Sequence, residues 1–277
     1  MKAYVTLLST ANYLPGVLAL RESLRRSGAQ YPLHVALSCD TPTIVETSLR
    51  GLKIEVIRFT GHLPIPEFHR HTNGHWGNTF DKIQLFGLTQ YEKLVYVDSD
   101  MMVLQNLDHL FTKPHLSAAA AGRMLNPDSR RLNSGIMVIE PDVKLPNLIA
   151  QKLEVAIKEV GTMGVSALGD QDLINAYYSH WPESPELHLP DSYNVFQFHL
   201  DDYILKQNFV LGKPGDSGDR VIKVIHFIGA VKPWMKGATL KHYISILRRC
   251  KKAWYFNHMF RCYAQLLREV RRQTQAF

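Results

Sequence analysis

Two aspartates one residue apart, Asp98 and Asp100, have the types and spacing in this sequence that most clearly permit chemistry. They directly follow the apolar run 94–97, at the carboxyl end of a predicted central strand, which is where open α/β sheets bind ligands. Both carboxylates can approach a hard divalent cation through oxygen, and such a cation can neutralise a diphosphate. Alone, the pattern is more typical of a strand-end turn or a helix cap.

A second segment favours the metal interpretation. His226 ends another apolar run, 221–225, and is followed by Gly229 and Lys232. An imidazole at a strand end could supply a third metal ligand, a glycine allows the backbone to approach a phosphate, and a lysine pairs with phosphate oxygens. The two segments together predict a site for a cation and a phosphate group.

The elements that must position these residues follow from the hydrophobic pattern. Short apolar runs alternate with segments of helical period, which is typical of an α/β sheet covered by helices. The predicted strands are residues 2–8, 32–38, 53–59, 93–97, 117–121, 135–140 and 220–226. The predicted helices are residues 14–26, 82–90, 145–160 and 170–178, with residues 191–218 irregular and one or two basic amphipathic helices in 240–272. The absence of Gly-x-Gly-x-x-Gly argues against a dinucleotide site.

Composition places the chain among ordinary globular proteins, because 45% of its 277 residues are apolar and 21% are charged. No stretch approaches the roughly 20 apolar residues that a membrane-spanning helix needs. Three cysteines at wide spacing match neither a zinc motif nor a redox motif and predict a reducing, cytoplasmic location. The apolar N-terminal run is interpreted as a strand rather than a signal peptide.

The net charge of +7 belongs to one end of the chain. Residues 232–277 carry 11 Lys and Arg and one acidic residue, whereas residues 1–231 carry 21 basic and 24 acidic ones. A near-neutral body without a nucleic-acid-binding motif predicts that nucleic acid is not a partner. Such asymmetry is instead typical of a basic appendage that contacts an anionic surface.

Several motifs in register resemble the glycogenin-like branch of glycosyltransferase family eight. They are residues 5–7, 81–82, 91–111, 133–138, 169–175 and 226–234, and together they span roughly residues 3–235. The resemblance implies a GT-A fold, a Rossmann-like α/β nucleotide-diphospho-sugar transferase domain at residues 1–237, followed by a basic helical tail at 238–277. It also implies transfer of a sugar from a UDP-sugar with retention of configuration, aided by Mn²⁺ or Mg²⁺.

The resemblance also implies roles for individual residues. The implied metal ligands are Asp98, Asp100 and His226, and the implied catalytic residues are Asp170, Gln171 and Lys82. The implied nucleotide-sugar contacts are these six residues together with Leu7, Ser9, Thr10, Tyr13, Arg70, Ser99, Asn133, Ser134, Gly135, Gly229 and Lys232. Tyr13 is available to stack on uracil. The resemblance implies that Asp170 acts as a nucleophile or stabilises the reacting sugar. Retention of the anomeric configuration is compatible with a covalent route and with front-side attack. Asp170 can also cap the helix that follows it.

Two departures from the family pattern bear on specificity. Alignment of Tyr193-Asn194 with the family's Tyr-Asn pair puts Asp201 where glycogenin glucosylates its own tyrosine, although Tyr203 lies near. Ala167 stands where many members carry an acid, which should change how the donor's hydroxyls are recognised. Self-glycosylation is therefore doubtful, and the hexose is expected to be glucose or galactose.

The tail supports two interpretations. Its apolar and aromatic residues fall near one helical face among many Lys and Arg, which fits an anionic membrane or a helix packed on the body. Membrane binding by the tail predicts a peripheral bacterial enzyme on the inner face of the cytoplasmic membrane. Its acceptor would be a glycan or glycolipid such as lipopolysaccharide core. A homodimer is also compatible with the sequence. The alternative functions are a catalytically silent nucleotide-sugar or glycan-binding protein and a glycogenin-type primer.

Overall fold

The computed structural model describes residues 1–65, 79–124, 127–162, 168–213, 215–235 and 254–274. The predictions for Arg70, for Ala167 and for the first part of the tail, 238–253, lie outside these ranges. The chain divides into two compact units. The first unit contains Met1–Ala11, Tyr31–Val97 and Leu110–Leu189. The second unit contains Asn12–Gln30, Asp98–His109 and Pro190–Phe277.

The first unit is built on a seven-stranded sheet; elements are numbered in chain order. Its strands are β1 (Lys2–Leu8), β2 (Leu33–Leu37), β3 (Glu55–Arg58), β4 (Lys93–Val97), β6 (Ala118–Ala120), β7 (Leu132–Ile139) and β8 (His188–Leu189). They lie in the order β3-β2-β1-β4-β7-β6-β8. The four strands from β3 to β4 are parallel, and β7 runs antiparallel to both of its neighbours. The apolar runs predicted six of these strands, because strands inside a sheet covered by helices are buried on both faces, but they did not predict the two-residue strand β8.

The helices of this unit differ more from the prediction than its strands do. Among the residues that the structure describes, its α-helices are α2 (Thr43–Gly51), α3 (Leu145–Ala150), α4 (Leu153–Thr162) and α5 (Asp170–Tyr177), and its longest 3₁₀ helix is Thr79–Gly87. The helix predicted at 145–160 is divided, because the Lys152 N–H turns to the carbonyl three residues back. The segment predicted as a helix at 82–90 is mostly 3₁₀ and begins earlier, and α2 was not predicted because its Thr, Ser and Val residues are weak helix formers.

His115 lies just before β6 and contacts the residue after β7 and the residue that follows α5. Its Nδ1 accepts the Glu140 backbone N–H at 3.0 Å, so its Nε2–H donates to the Tyr178 hydroxyl at 2.8 Å. Burial lowers the pKa of His115 to about 4. The neutral ring is therefore part of the folded state, whereas an unfolded histidine takes up a proton near pH 6.5.

This titration should make the stability of the chain depend on pH. The contribution of His115 is complete above about pH 6.5 and is lost as the pH falls towards about 4, at about 1.4 kcal/mol per pH unit. Between pH 7 and pH 5, the free energy of urea unfolding should fall by about 2 kcal/mol more in the native chain than in His115→Gln. The same pH dependence in both proteins would contradict the assignment.

Within the described residues, the second unit contains a three-stranded sheet and three α-helices. Its strands are β5 (Met101–Val103), β9 (Val195–Phe196) and β10 (Val224–His226), and its helices are α1 (Leu14–Arg26), α6 (Leu200–Gln207) and α7 (Trp254–Thr274). β10 lies in the centre, antiparallel to β5 and parallel to β9. The prediction of α1 is confirmed to the residue, with a proline in its first turn. The strand predicted at 220–226 is shorter, and α6 lies in the segment predicted as irregular.

The apolar face of α7 packs within the second unit. Its buried side chains are Met259, Phe260, Tyr263, Leu266, Leu267 and Val270. The Phe227 ring contacts Tyr263 edge-on at 4.8 Å between centroids, and Arg26 of α1 pairs with Glu269 of α7. Packing on the body therefore accounts for the apolar face of this helix. Within the described ranges, no helix combines the length and the apolar character needed to cross a bilayer.

Candidate active site

Strand pairing in the second unit brings the two aspartates to His226. Asp98 and Asp100 lie in the turn before β5, and Met101 of β5 is opposite His226 of β10. The turn is held by backbone hydrogen bonds, from Met101 to the Asp98 carbonyl at 3.1 Å and from Phe227 to the Asp100 carbonyl at 2.9 Å. Two segments that are distant in the sequence therefore present three side chains to one place.

The three side chains have the donor set and spacing of a metal site. His226 Nε2 lies 3.2 Å from Asp100 Oδ1 and 3.7 Å from Asp98 Oδ2. His226 Nδ1–H donates to Asn194 Oδ1 at 2.9 Å, which fixes the ring and leaves Nε2 facing the carboxylates. Two carboxylate oxygens and an imidazole nitrogen fit a divalent cation such as Mn²⁺. Asn194 was not predicted as a site residue, although the Tyr-Asn pair that contains it was a signal.

Lys232 is the next member of this group. Its Nζ donates to Asp100 Oδ2 at 2.5 Å and to the Phe227 carbonyl at 2.9 Å, and the residue is 4% exposed. Burial lowers the pKa of Lys232, but Asp100 outweighs burial and raises it above its usual value. Burial likewise raises the pKa of Asp100, but His226 and Lys232 hold it well below its usual range. Both groups are therefore charged.

Aromatic rings lie beside this group. The Tyr13 and Trp234 rings meet edge-on at 5.4 Å, and Lys232 Nζ lies 5.6 Å from the Tyr13 ring centroid. Trp234 Nε1–H donates to the Asn12 carbonyl at 2.9 Å. Burial raises the pKa of Tyr13. Tyr263 of α7 is fully buried, and burial, followed by the charge of Asp100, raises its pKa well above the usual value.

Two glycines allow the backbone to approach closely. Gly229 has a φ of +91°, a conformation that favours glycine. Gly16, in the first turn of α1, was not predicted to matter. A Cβ atom there would lie 2.4 Å from the Ser99 carbonyl oxygen and 2.7 Å from the Trp234 ring. No local sequence signal could have identified this contact, because it joins segments that are distant in the chain.

Replacing Gly16 by alanine should therefore move the backbone between the two aspartates. We expect Gly16→Ala to weaken Mn²⁺ activation by about 10- to 100-fold, because metal ligation depends on the orientation of the ligands. The measurement is UDP release from a UDP-sugar as a function of Mn²⁺ concentration. Gly51→Ala is the matched control, since nothing lies within 4 Å of its added Cβ. Equal Mn²⁺ dependence in both variants would contradict the prediction.

The first unit holds a second group of predicted residues. Lys82 Nζ lies 2.7 Å from Asp170 Oδ2, and both side chains are only 5% exposed. Ser134 Oγ–H donates to the same Asp170 oxygen at 2.7 Å, and the Ser134 backbone N–H donates to Gln171 Oε1 at 3.2 Å. Lys82 Nζ also lies 4.7 Å from the Tyr96 ring centroid. The buried ion pair keeps a carboxylate ordered at the start of α5.

The other predicted residues fall into the same two units. Leu7 lies in the buried part of β1, which ends at Leu8, and the half-buried Ser9 and Thr10 follow the strand. Asn133 and Gly135 lie in β7, where Asn133 Oδ1 accepts the Gly135 N–H at 2.9 Å. The predicted site residues that lie in the first unit are Leu7, Ser9, Thr10, Lys82, Asn133, Ser134, Gly135, Asp170 and Gln171. Those in the second unit are Tyr13, Asp98, Ser99, Asp100, His226, Gly229 and Lys232.

The sequence model described as "Glycosyl transferase family 8" matches residues 4–238. The chain belongs to this family. Glycogenin-1 of Oryctolagus cuniculus is 33% identical over 247 residues, which cover 84% of this chain and 65% of the relative. Glycogenin-1 of Caenorhabditis elegans is 31% identical over 242 residues, which cover 86% of this chain and 52% of the relative. The chain thus spans between about half and two thirds of the length of these glycogenins.

A more distant relative and two solved structures complete the comparison. UDP-glucuronate:xylan alpha-glucuronosyltransferase 1 of Arabidopsis thaliana is 28% identical over 235 residues, or 84% of this chain and 32% of the relative. The glycosyltransferase GlyE of Streptococcus pneumoniae TIGR4 superposes with a TM-score of 0.57 at 18% identity, covering 97% of this chain and 63% of that one. The galactosyltransferase LgtC superposes with a TM-score of 0.57 at 15% identity, and the match covers 97% of this chain and 96% of that one. These likenesses confirm the GT-A fold.

Proposed function

We propose that the chain is a UDP-sugar-dependent, retaining hexosyltransferase that moves glucose or galactose to a glycan acceptor and uses Mn²⁺. The observation that carries this proposal is the group formed by the partly exposed Asp98 with the buried Asp100, His226 and Lys232, in a member of a glycosyltransferase family. The Arabidopsis relative is named for UDP-glucuronate, which is a UDP-sugar, and this supports a UDP-sugar as the donor. We propose residues 1–237 as the catalytic domain and residues 238–277 as the basic tail.

The proposed chemistry begins with the leaving group. Asp98, Asp100 and His226 would hold a Mn²⁺ ion, which when bound neutralises charge on the leaving diphosphate. Lys232 would transfer its Nζ contact from Asp100 to a phosphate oxygen, while the left-handed turn at Gly229 lets backbone N–H groups approach. Both contacts strengthen as UDP departs, so they favour the transition state over the bound donor.

The ion pair in the first unit would serve the sugar. We propose that Asp170 stabilises the positive charge that develops on the anomeric carbon. Lys82 and Ser134 both contact Oδ2 of its carboxylate. We propose that the other oxygen, Oδ1, faces the substrate. We propose that Gln171 contacts the reacting sugar from the acceptor side. A carboxylate already shared by an ammonium and a hydroxyl is a weak nucleophile, which favours stabilisation over covalent attack.

We further propose the remaining predicted residues as donor contacts. Uridine would be held by Leu7, Ser9, Thr10 and Tyr13, the diphosphate by Ser99, Gly229 and Lys232, and the sugar by Arg70, Lys82, Asn133, Ser134 and Gly135. For the residues other than the two glycines, each assignment predicts a rise in the KM for the donor when the side chain is removed. Tyr13→Phe keeps the ring and should therefore bind UDP about as well as the native chain.

The acceptor is proposed to be a separate glycan rather than this chain itself. Asp201, at the position of the self-glucosylated tyrosine, accepts the Tyr255 backbone N–H at 3.2 Å and so has a structural contact. Tyr203, the nearest tyrosine, is 5% exposed and packs edge-on against Phe209 at 5.0 Å. A buried hydroxyl is a poor acceptor, which disfavours the primer alternative.

The test is UDP release from UDP-glucose, UDP-galactose and UDP-glucuronate with Mn²⁺, first without an acceptor and then with oligosaccharides. We expect release from one hexose donor and no increase in the intact mass of the protein. Release only from UDP-glucuronate would overturn the hexose assignment. A mass increase in steps of one hexose would support the primer. No release from any donor, with UDP binding retained in calorimetry, would support a catalytically silent nucleotide-sugar-binding protein; no release and no UDP binding would support a glycan-binding protein.

We propose in addition that α7 binds an anionic membrane, such as one that carries a lipopolysaccharide-core acceptor on the inner face of the cytoplasmic membrane. Exposed Arg261, Arg268 and Arg272 share one face at about 100° per residue, opposite the buried apolar side. At about 1 kcal/mol each, replacing all three by glutamine should weaken binding to anionic vesicles by about 100-fold. Sedimentation with anionic and neutral vesicles measures this; equal sedimentation of both proteins would contradict it. The homodimer stays a prediction.

A further inference from the structure

The first unit contains a second group of metal-ligating side chains that the proposed glycosyl transfer does not use. Cys39 and Asp40 follow β2, and His62 follows β3. The ligand atoms of the three residues all lie within 4.8 Å of one another. We propose that Cys39, Asp40 and His62 bind a thiophilic divalent cation of the zinc class. This proposal does not depend on the glycosyltransferase activity.

The geometry is close to that of a tetrahedral site. His62 Nε2 lies 2.8 Å from Asp40 Oδ2, and Cys39 Sγ lies 3.5 Å from Asp40 Oδ1. Zinc bonds of about 2.0–2.3 Å separate tetrahedral ligands by about 3.3–3.8 Å, so of these two distances only the one between His62 and Asp40 must open. One sulfur, one nitrogen and one carboxylate oxygen form a donor set that zinc prefers, and three protein ligands leave a fourth position for water.

A buried carboxylate orients the histidine. Asp81 is fully buried, and its Oδ2 lies 2.8 Å from His62 Nδ1, while its Oδ1 accepts the Leu63 backbone N–H at 3.2 Å. This is the carboxylate–histidine arrangement that fixes the ring of a metal ligand and directs its other nitrogen at the ion. An acidic surface cluster formed by chance does not require this second, buried contact.

The turn that carries the other two ligands is also held in place. Arg58 Nη1 donates to the carbonyls of Ser38, Cys39 and Thr41 at 3.4, 3.4 and 3.0 Å. Thr41 Oγ1–H donates to the Leu8 carbonyl at 3.0 Å. The Arg58 cation thus binds the backbone of the turn, and the ligands are ordered before an ion arrives, which lowers the cost of binding.

A bound ion would connect this turn to a residue of the proposed active site along the chain. Asp81 immediately precedes Lys82 in the 3₁₀ helix Thr79–Gly87, and Gln84 Nε2 donates to the Asp81 carboxylate at 3.1 Å. The cation would therefore tie the carboxyl ends of β2 and β3 to the helix that carries Lys82. Its expected effect is to stabilise the first unit.

The experiment uses Co²⁺ as a spectroscopic probe of the full-length protein, prepared without metal. A cobalt–thiolate bond gives an intense near-ultraviolet charge-transfer band, and the Asp98, Asp100 and His226 group has no sulfur that could produce one. We expect this band in the native chain and in Asp100→Asn, and we expect Cys39→Ser to abolish it. Absence of the band from the native chain, or its survival in Cys39→Ser, would overturn the proposal.

Control variants separate the proposed ligands from other groups. The chain has three cysteines, so a Cys250→Ser, Cys262→Ser double variant leaves Cys39 as the sole thiol and should keep the band. This variant also tests the Cys262–His258 pair of α7, whose Sγ and Nε2 lie 3.7 Å apart. Loss of the band from the double variant would contradict the assignment of Cys39.

Affinity variants test the other two ligands without relying on the thiol. Asp40 is exposed, so Asp40→Asn should fold normally, keep the band and bind Co²⁺ about 10- to 100-fold more weakly. Zn²⁺ should raise the thermal midpoint of Asp100→Asn, and adding His62→Gln to that variant should remove this rise. Unchanged Co²⁺ affinity in Asp40→Asn, or an equal Zn²⁺ effect with and without His62, would count against the site.

Discussion

Asp100→Asn is expected to lower Mn²⁺-dependent UDP release by at least about 1,000-fold, the largest effect of any single substitution proposed for this chain. Asparagine keeps the shape of the side chain but removes the charge that would bind the ion. It also leaves Lys232, 4% exposed, without its partner at 2.5 Å. An unpaired buried charge should reduce the free energy of unfolding by about 3–5 kcal/mol.

A second substitution separates the loss of chemistry from the loss of stability. Asp100→Asn combined with Lys232→Met removes both charges, so the free energy of urea unfolding should recover most of its value. Activity should remain lost, because neither the metal ligand nor the phosphate contact is present. Near-native Mn²⁺-dependent turnover in either Asp100 variant would refute the metal assignment.

Asp170→Asn is expected to lower donor turnover by about 100- to 10,000-fold while changing the KM for the donor much less. The carboxylate is proposed to act in the transition state, and Lys82 lies 2.7 Å from it at a buried position. Single-turnover measurements with the preferred donor would separate binding from chemistry. Adding Lys82→Met should restore stability without restoring turnover, as in the Asp100 pair.

The same helix provides a matched control. Asp172 accepts the Gly169 backbone N–H at 2.9 Å and pairs with Arg131 at 2.9 Å, so it caps α5. Burial raises the pKa of Asp172, although the hydrogen bond from the Gly169 N–H acts to lower it. Asp172→Asn should cost about 1 kcal/mol of stability and leave the rate within a few-fold of native. If Asp172→Asn lost as much activity as Asp170→Asn, Asp170 would be a cap rather than a catalytic residue.

The parts of the fold that sequence could predict are those fixed locally. The apolar run before Asp98 predicted a strand, because consecutive apolar residues indicate burial on both faces. The helical spacing of apolar residues in 14–26 predicted a helix. Both patterns depend only on residues that are close in the sequence. Residues 82–90 were predicted as an α-helix, but the structure has a 3₁₀ helix over Thr79–Gly87, in which Asp81 contacts His62 and Leu63. A contact of that kind is decided by tertiary structure and has no local pattern.

The candidate site divides in the same way. Asp98, Asp100 and His226 were predicted to meet because their types and the family motifs point to one ion, and the described distances agree. The supporting residues Asn194 and Gly16 were not, since their importance lies in one hydrogen bond and one close approach across the fold. Side chains that react are easier to recognise from sequence than those that hold them.

The second unit has a consequence for how the chain is made. Its helix α1 begins at Leu14 and its helix α7 ends at Thr274, and the two contribute Arg26 and Glu269 to one ion pair. A ribosome therefore releases Asp98 and Asp100 well before it synthesises the rings of Phe260 and Tyr263 that pack against Phe227. Until α7 has been synthesised, the nascent chain exposes that apolar surface. A premature stop codon shortly before α7 should consequently yield protein that depends on chaperones or is degraded, rather than a smaller working enzyme.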